Sequence, residues 1–262
     1  MTLRARKLAA EWHRRTVLDA VDFEAEAGEL VGIVGPNGSG KSTLLRLLAG
    51  LDRPLRGQVT WQDRALATFS PAERARALAF LPQTPQVAFG FTARQVVLMG
   101  RMAHQRGAFE GPEDRAAAEA ALAEMGVADL AGRSVDTLSG GERQRVFLAL
   151  TLAQDTRALL LDEPLGHLDP GHQMGVCEAL AHRAHTGRVG VVVMHDLNLA
   201  AQFCDRLVLL VKGQVAAVGP PRAVLENPAL AAAYGVPAAL IGTHPDGRRA
   251  TYTPLRRAPP RD

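Results

Sequence analysis

The sequence is poor in cysteine and contains no long apolar run. Its two cysteines, Cys177 and Cys204, show neither CxxC spacing nor the spacing of a Cys/His ligand set, which argues against a disulfide framework and a zinc site. The longest apolar runs, at residues 189–194 and 207–211, are far shorter than the roughly 20 residues that span a bilayer. We therefore expect reduced thiols and a chain that does not cross a membrane by itself.

The chain also has little net positive charge with which to bind a polyanion. The formal net charge is +3, and residues 246–262, with five arginines and two aspartates, account for that whole excess. A nucleic-acid-binding domain is expected to carry its basic excess on a folded face. We therefore predict no nucleic-acid partner, and treat residues 241–262 as a basic C-terminal tail.

Short continuous apolar runs recur along the chain, and this pattern is typical of strands buried on both faces of a parallel sheet. Such strands are predicted at residues 30–34, 79–81, 158–161 and 189–194. Two later strands, 206–211 and 214–218, are separated by Lys212-Gly213 and predict a hairpin.

Helical patterns fill the spaces between these strands. Helices are predicted at residues 42–49, 113–125, 141–153, 197–204 and 220–234, the last with a break near Pro228. Residues 84–153 are predominantly helical and predict a helical subdomain inserted into an α/β core.

A glycine-rich segment follows the first apolar strand and leads directly into a helix. It matches the pattern GxxxxGKS, in which backbone N–H groups surround phosphates at a helix N-terminus. Lys41 can reach the β- and γ-phosphates, and the Ser42 hydroxyl can bind Mg²⁺. The predicted nucleotide-binding residues, called the phosphate loop below, are Gly35, Pro36, Asn37, Gly38, Ser39, Gly40, Lys41, Ser42 and Thr43.

Two adjacent carboxylates, Asp162 and Glu163, end the apolar run at residues 158–161. The carboxyl ends of strands are where open α/β sheets bind ligands. We predict that Asp162 holds Mg²⁺ and that Glu163 orients or deprotonates the attacking water. The alternative, that the pair only caps the next helix, is weakened by the phosphate loop upstream.

A second anion-holding device is predicted at residues 138–142, called the signature segment below. Ser139 and Glu142 have the spacing of a helix capping box. The two residues between them, Gly140 and Gly141, each lower helix propensity by about 1 kcal/mol relative to alanine. This cost indicates that a group must approach the backbone closely. A γ-phosphate at the helix N-terminus is the predicted group.

In this order along the chain, the phosphate loop, the signature segment and residues 161–164 resemble the ATPase subunits of ABC transporters, over about residues 3–235. The resemblance implies a P-loop NTPase (RecA-like) core with an N-terminal antiparallel β subdomain and the inserted helical subdomain. It implies an ABC ATPase domain at residues 1–240, in which 1–83 and 154–240 form the α/β core and 84–153 the helical subdomain.

The resemblance also assigns roles to residues that carry no clear signal alone. It implies that Gln83 contacts the Mg²⁺ and water region and that His195 contacts the γ-phosphate. It further implies that Asp169 lies at a dimer interface and that Trp12 stacks on adenine, although tryptophan near a turn also commonly serves packing. Relatives commonly have polar residues where this chain has Leu165-Gly166, which puts the contacts of those polar side chains in doubt.

The same resemblance implies a homodimer in which two ATP molecules, each with Mg²⁺, are held between the phosphate loop of one subunit and the signature segment of the other. Such a subunit works on the cytoplasmic side of the cell membrane, bound peripherally to transmembrane permease subunits and acting indirectly with a substrate-binding protein. The stretches at 79–83, 91–101 and 167–173 resemble the iron-chelate, haem and cobalamin import branch.

Three other functions remain open from the sequence. Zinc and manganese importers share much of the same pattern. A soluble ABC ATPase acting on DNA, ribosomes or iron–sulfur assembly is a second alternative, although no coiled-coil insertion and no second cassette are present. A module that binds nucleotide without hydrolysing it is disfavoured by Glu163 and His195. A metal site at His167 and His172 is also disfavoured, because the intervening Pro170-Gly171 keeps them off a common helix face.

Overall fold

The computed structural model describes residues 1–87, 90–105, 110–235, 238–243 and 250–254. Its strands are β1 (Thr2–Trp12), β2 (Arg15–Glu26), β3 (Leu30–Val34), β4 (Arg56–Trp61), β5 (Arg64–Ala65), β6 (Leu78–Leu81), β7 (Ala158–Asp162), β8 (Val189–Val193), β9 (Arg206–Val211), β10 (Gln214–Gly219), β11 (Ala238–Thr243) and β12 (Ala250–Pro254).

The helices of the described residues are α1 (Lys41–Leu48), α2 (Pro71–Ala77), α3 (Ala93–Met99), α4 (Pro112–Glu124), α5 (Gly140–Ala153), α6 (Pro170–His185), α7 (Leu197–Phe203), α8 (Pro221–Leu225) and α9 (Pro228–Tyr234). None of these helices combines the length and the apolar composition that a membrane span requires.

The central layer is a six-stranded sheet with the order β10-β9-β3-β8-β7-β6. Five neighbouring strands run parallel, and β10 pairs antiparallel with β9 at the edge. The central strands β3, β7 and β8 are buried along their whole length, as a sheet covered on both faces requires. The α/β class is confirmed.

Successive side chains of the buried strands point to opposite faces of the sheet and contribute to two apolar cores. In β7, Leu159 and Leu161 pack with the helices α5, α6 and α7. Leu160 packs in the opposite direction, against α1 and a second sheet with the order β2-β1-β4-β5. That second sheet is antiparallel and confirms the predicted N-terminal β subdomain.

The predicted strands and helices are confirmed within two residues at each end, including the break before Pro228 between α8 and α9. The predicted hairpin is β9–β10, whose turn residues Lys212 and Gly213 both have positive φ, 48° and 79°, as a tight hairpin turn requires. Helices α3, α4 and α5 lie within residues 84–153, and the boundaries of a helical subdomain there stay a prediction. The predicted boundary at residue 240 falls inside β11, which pairs with β12.

Helices α3 and α5 approach each other closely at Gly100, which follows α3. A Cβ placed on Gly100 would lie 2.4 Å from the backbone oxygen of Leu150 in α5. Such a distance to a backbone atom cannot be relieved by a side-chain rotation, so α3 packs against α5 only because residue 100 lacks a side chain.

Replacing this glycine tests the packing of α3 on α5. Gly100→Ala should destabilise the protein by about 1–3 kcal/mol, the usual cost of overpacking, and lower the midpoint of thermal unfolding by several degrees. Gly132→Ala is the matched control, because a Cβ there meets no atom within 4 Å. Equal midpoints for the two variants would contradict the close contact.

Candidate functional site

The loops that follow four neighbouring parallel strands bring most of the predicted site residues together. The phosphate loop follows β3, Gln83 follows β6, Glu163 follows β7 and His195 follows β8. Because these strands are adjacent and parallel, their carboxyl ends meet at one edge of the sheet. The four loops therefore line one open cleft of about 670 Å³.

The cleft wall contains Trp12 and most of the phosphate loop. Its lining residues are Trp12, Val17, Asn37, Gly38, Gly40, Lys41, Ser42, Thr43, Arg46, Asp52, Gln83, Glu163 and His195. Trp12 is 71% exposed, so its indole face is accessible for stacking. Gly35, Pro36 and Ser39 lie behind this surface and shape it.

The phosphate loop packs tightly against the β9–β10 hairpin. A Cβ on Gly35, whose φ is +151°, would lie 2.1 Å from the backbone oxygen of Leu210, so only glycine fits there. The backbone N–H of Gly213 donates to the carbonyl of Ser39 at 3.0 Å, and the N–H of Asp19 donates to the carbonyl of Gly213 at 3.0 Å. The loop is thus held from behind by the hairpin and β2.

The polar side chains of the phosphate loop are arranged for an anion. Lys41 is 5% exposed, and its Nζ donates to the carbonyl oxygens of Gly35 and Pro36 at 2.9 and 3.0 Å. Burial lowers the pKa of Lys41, even though Glu163 and Asp162 oppose this shift. The buried hydroxyl of Ser39 has no hydrogen-bond partner among the residues that the structure describes. Such an unsatisfied group in a nest of backbone N–H groups fits a phosphate oxygen.

Asp162 and Ser42 form an oxygen pair beside the phosphate loop. The Ser42 hydroxyl donates to Asp162 Oδ1 at 3.1 Å, and Asp162 is 3% exposed at the end of β7. Burial raises the pKa of Asp162. A hydroxyl and a carboxylate are hard oxygen ligands of the kind that Mg²⁺ prefers, so this donor set fits the predicted metal.

Glu163 occupies a strained and hydrogen-bonded position. Its φ is +51°, a conformation that residues other than glycine adopt rarely. Gln83 Nε2 donates to Glu163 Oε2 at 2.8 Å, and His195 Nε2 lies 2.5 Å from Glu163 Oε1. The carboxylate is therefore fixed at the cleft by Gln83, which follows β6, and by His195, which follows β8. These are the two side chains that the family resemblance assigns to the same site.

The signature segment lies in a different place. Together with Asp169 and His167 it lines a separate cleft of about 580 Å³ that shares no residue with the first. The predicted capping box is present: Ser139 Oγ accepts from the N–H of Glu142 at 3.3 Å, and Glu142 Oε2 accepts from the N–H of Ser139 at 2.8 Å. The bond from the Ser139 backbone N–H, followed by the interaction with the Ser139 hydroxyl, lowers the pKa of Glu142.

Asp169 caps α6 at the edge of this second cleft. Its Oδ1 accepts from the N–H of His172 at 3.0 Å, and its Oδ2 lies 2.6 Å from His172 Nδ1. The bond from the His172 backbone lowers the pKa of Asp169. Within one chain, the two predicted anion-holding devices thus occupy separate surfaces.

The structure changes the reason given for one of the signature glycines. A Cβ on Gly141 would lie 2.9 Å from the carbonyl oxygen of His167. The close approach to the backbone of residue 141 is therefore made by this chain itself, and Gly141 is required for packing whether or not a phosphate binds. At Gly140 the nearest atoms of His167 are at ordinary contact distance, 3.5 Å or more.

Arg46 and Asp52 also line the first cleft, although no sequence prediction includes them. Arg46 lies one turn after Ser42 on α1, a spacing that places both on one helix face and could have indicated it. Its Nε and Nη2 donate to Asp52 Oδ2 and Oδ1 at 2.6 and 2.9 Å. No pattern in the sequence indicates Asp52, which lies in the irregular segment after α1.

Comparisons with known proteins match this geometry. The family model described as "ABC transporter" matches residues 18–166. The hemin import ATP-binding protein HmuV of Nocardia farcinica is 49% identical over 261 residues, covering 98% of this chain and 90% of that protein. The cobalamin import ATP-binding protein BtuD of Halobacterium salinarum is 44% identical over 256 residues, covering 97% of this chain and 64% of that longer protein.

Solved structures show the same fold. A metal-chelate type ABC transporter in an inward-facing conformation has a TM-score of 0.82 and 26% identity, with 98% of each chain covered. A bacterial ABC transporter cassette solved as a dimer has a TM-score of 0.76 and 29% identity, covering 83% of this chain and 97% of that one.

The buried carboxylate predicts a stability change that depends on pH. Because burial raises the pKa of Asp162 above its ordinary value of 3.8, the ionised carboxylate destabilises the fold at neutral pH. Asp162→Asn should therefore raise the unfolding midpoint of the nucleotide-free protein at pH 8, by about 2 °C or more. This gain should shrink as the pH falls through the raised pKa of Asp162 and vanish below 3.8.

Asp52→Asn is a control of opposite sign in the same cleft. The hydrogen bonds from Arg46 lower the pKa of Asp52, so its ionised form stabilises the fold. Asp52→Asn should lower the unfolding midpoint at pH 8, and the loss should fade only as the pH drops below about 4. The same sign of change for both variants in a pH series would contradict the assignment.

Proposed function

The chain belongs to the ABC transporter family and is one of its ATPases, and from this we propose that it powers the import of haem or a related metal chelate through a separate membrane permease. The observation that carries this proposal is the convergence of the phosphate loop, Gln83, Glu163 and His195 on one cleft, while the signature segment lies on another.

The cleft residues have complementary roles in ATP binding and hydrolysis. Lys41, whose ammonium now binds carbonyls of its own loop, turns to the β- and γ-phosphates, and the Ser39 hydroxyl gains an acceptor there. Trp12 stacks on the adenine ring, since its indole is exposed at the mouth of the cleft. Backbone N–H groups of residues 38–43 complete the phosphate contacts.

The Mg²⁺ site is formed by the Ser42 hydroxyl and the Asp162 carboxylate, with Gln83 nearby. When bound, Mg²⁺ neutralises charge that develops on the phosphate oxygens. The low exposure of Asp162 excludes water from one side of the site and strengthens every charge interaction there.

Glu163 is the group that orients and accepts a proton from the attacking water. Its oxygens are held by Gln83 and His195, so both neighbours must release or share the carboxylate when water binds. His195 then contacts the γ-phosphate. Gln83 transmits nucleotide-dependent changes in the site to the surface near the helices α3 to α5.

The separate location of the signature segment supports a role for a second copy of the chain. An ATP bound at the phosphate loop of one subunit is completed by Ser139, Gly140, Gly141 and Glu142 of the other, with Asp169 at the interface between them. Two such sites form when two subunits close, and hydrolysis reopens them. This cycle drives permease subunits, which the ATPase binds at the cytoplasmic face of the membrane. A substrate-binding protein delivers the cargo to the permease from the other side of the membrane.

Haem is the first candidate cargo because several relatives over 40% identical are hemin import proteins. Cobalamin is the second, on the similarity to the cobalamin import protein. The cargo is tested by reconstitution: purified subunit reconstituted with its permease should show ATPase stimulation by the matching substrate-loaded binding protein.

Removing the negative charge of Glu163 tests its catalytic role. Glu163→Gln keeps the size and one hydrogen-bond acceptor but removes the base, so ATPase turnover should fall about 10²-fold or more. With ATP present, the variant should elute as a dimer in size-exclusion chromatography, because closure is retained and reopening is blocked. Glu178→Gln on the exposed face of α6 is the control and should keep full turnover; full turnover in Glu163→Gln would remove Glu163 from this role.

Mixing two inactive variants tests whether the signature segment acts on the partner's nucleotide. Lys41→Ala should abolish ATP binding at its own phosphate loop, and Ser139→Arg should block the signature segment with a bulky cation. In a heterodimer of the two, one site receives both defects and the other receives neither. Turnover should return to about half of the wild-type rate per dimer, whereas each homodimer stays inactive.

The controls for this experiment are the two variants assayed separately at the same total protein concentration. No recovery at any mixing ratio, with heterodimers demonstrated by differently tagged chains, would contradict composite sites. Activity in the Lys41→Ala homodimer would instead contradict the role of the phosphate loop.

A further inference from the structure

A buried glutamine connects the helix of the signature segment to the catalytic carboxylate. Gln144 lies on α5, one turn after Gly141, and is 6% exposed. Its Nε2 donates to the carbonyl oxygen of Pro164 at 3.0 Å. A buried amide and a buried carbonyl are costly to leave unpaired, so this hydrogen bond holds the two elements together. Pro164 directly follows Glu163 in the chain.

The far end of the same loop is fixed to the same helix. Residues 163–169, called the 163–169 loop below, leave the end of β7 and reach the start of α6. His167 has a φ of +63°, which turns its carbonyl oxygen onto the backbone of Gly141. Leu168 next to it is buried in the core against α5. The loop therefore contacts α5 near both of its ends, through the hydrogen bond of Gln144 to Pro164 and through the close packing of His167 and Leu168 on Gly141.

The attachment at Pro164 acts directly on Glu163. The peptide unit between them is planar and nearly rigid, so a displacement of Pro164 moves the backbone of Glu163 by a similar amount. The backbone N–H of Glu163 donates to the carbonyl of Val193 at 3.2 Å, which fixes the other side of the residue. The position of the carboxylate is thus set by β8 on one side and by Gln144 on the other.

We propose that Gln144 is a positioning residue that ties Glu163 to the helix of the signature segment, so that closure of Ser139 on the partner's ATP brings the Glu163 carboxylate of the same chain into its working position. This inference rests on the proposed function, because it needs the signature segment to contact a nucleotide held by another subunit. It deepens that function by making each subunit a rigid connection between the two ATP sites of the dimer.

A second glutamine provides a matched comparison. Gln173 on α6 also donates its side-chain amide to the 163–169 loop, to the carbonyl of Leu165 at 3.4 Å. It differs from Gln144 in two respects: its bond is longer, and α6 does not carry the signature segment. Removing the amide of Gln173 loosens the loop without disconnecting it from α5.

The test replaces the Gln144 amide by a side chain of similar length that cannot donate. In Gln144→Met, the turnover number of ATP hydrolysis should fall about tenfold or more, since small displacements of a catalytic group have large effects. The half-saturating ATP concentration should change less than about twofold, because the phosphate loop is untouched. Gln144→His, whose Nε2–H can donate from a similar reach, should recover part of the lost turnover, and Gln173→Met should keep at least about half of it.

A double-mutant cycle separates positioning of Glu163 from a general structural effect. If Gln144 acts through the Glu163 carboxylate, then Gln144→Met should change the residual turnover of Glu163→Gln by less than about twofold. In the same background, ATP should still produce the dimer in size-exclusion chromatography. Equal losses of turnover with and without Glu163 would overturn the proposal, as would unchanged turnover in Gln144→Met alone.

Two further outcomes also decide the question. Loss of the ATP-dependent dimer in Glu163→Gln/Gln144→Met would show that Gln144 shapes the signature segment itself, and would overturn the proposal. A loss in Gln173→Met as large as in Gln144→Met would show that any loosening of the loop suffices, and would overturn it too. Failure of the proposed function is distinguishable, because the parent Glu163→Gln would then keep its turnover or form no dimer with ATP.

Discussion

The parallel alignment of five strands buried on both faces is the constraint on which the site depends. A strand covered on both faces must be apolar throughout, so polar and charged residues can enter the chain only where the strand ends. Because β3, β8, β7 and β6 are neighbours that run in the same direction, their polar ends lie side by side. The cleft is the direct geometric result of this order, and residues far apart in sequence meet there without any local motif that joins them.

Several polar groups of this cleft are paired with one another. The ammonium of Lys41 binds two carbonyls of its own loop, Ser42 binds Asp162, and Glu163 binds Gln83 and contacts His195. Polar groups in such a partly buried place must find partners. These groups find them within the chain, whereas the Ser39 hydroxyl has none among the described residues. A phosphate bound at the proposed site would exchange the contacts of Lys41 with its own loop for new ones, so its binding is coupled to the contacts that hold the cleft residues.

The sequence predicts much of this fold because its signals are local. Continuous apolar runs indicate the buried strands, the GKS pattern indicates a strand, loop and helix, and the paired acids Asp162 and Glu163 mark a strand end. The spatial order of the strands is not a local property, so the contacts of Glu163 with Gln83 and His195 came only from the resemblance to a family. Their distances required the folded chain.

Other features escaped prediction because the partner in the contact is distant in sequence. Two glycines in a capping box suggest that something approaches the backbone, but no local pattern says that His167 is the group that reaches Gly141. In the sequence, Gln144 resembles any polar residue of a helix. Only the fold brings the carbonyl oxygen of Pro164 within hydrogen-bond distance of it. Arg46 and Asp52 likewise gain meaning only when the cleft is formed.

The packing of the phosphate loop against the β9–β10 hairpin sets a minimum length of chain that can form the proposed nucleotide site. Leu210 and Gly213 contact the loop from a part of the chain beyond residues 18–166, the span that the family model matches. The loop therefore does not possess its shape as an autonomous peptide. A fragment that ended after α7 would retain every predicted site residue and would still lack the surface against which Gly35 packs, so the β9–β10 hairpin is as much a part of the proposed phosphate site as the glycines themselves.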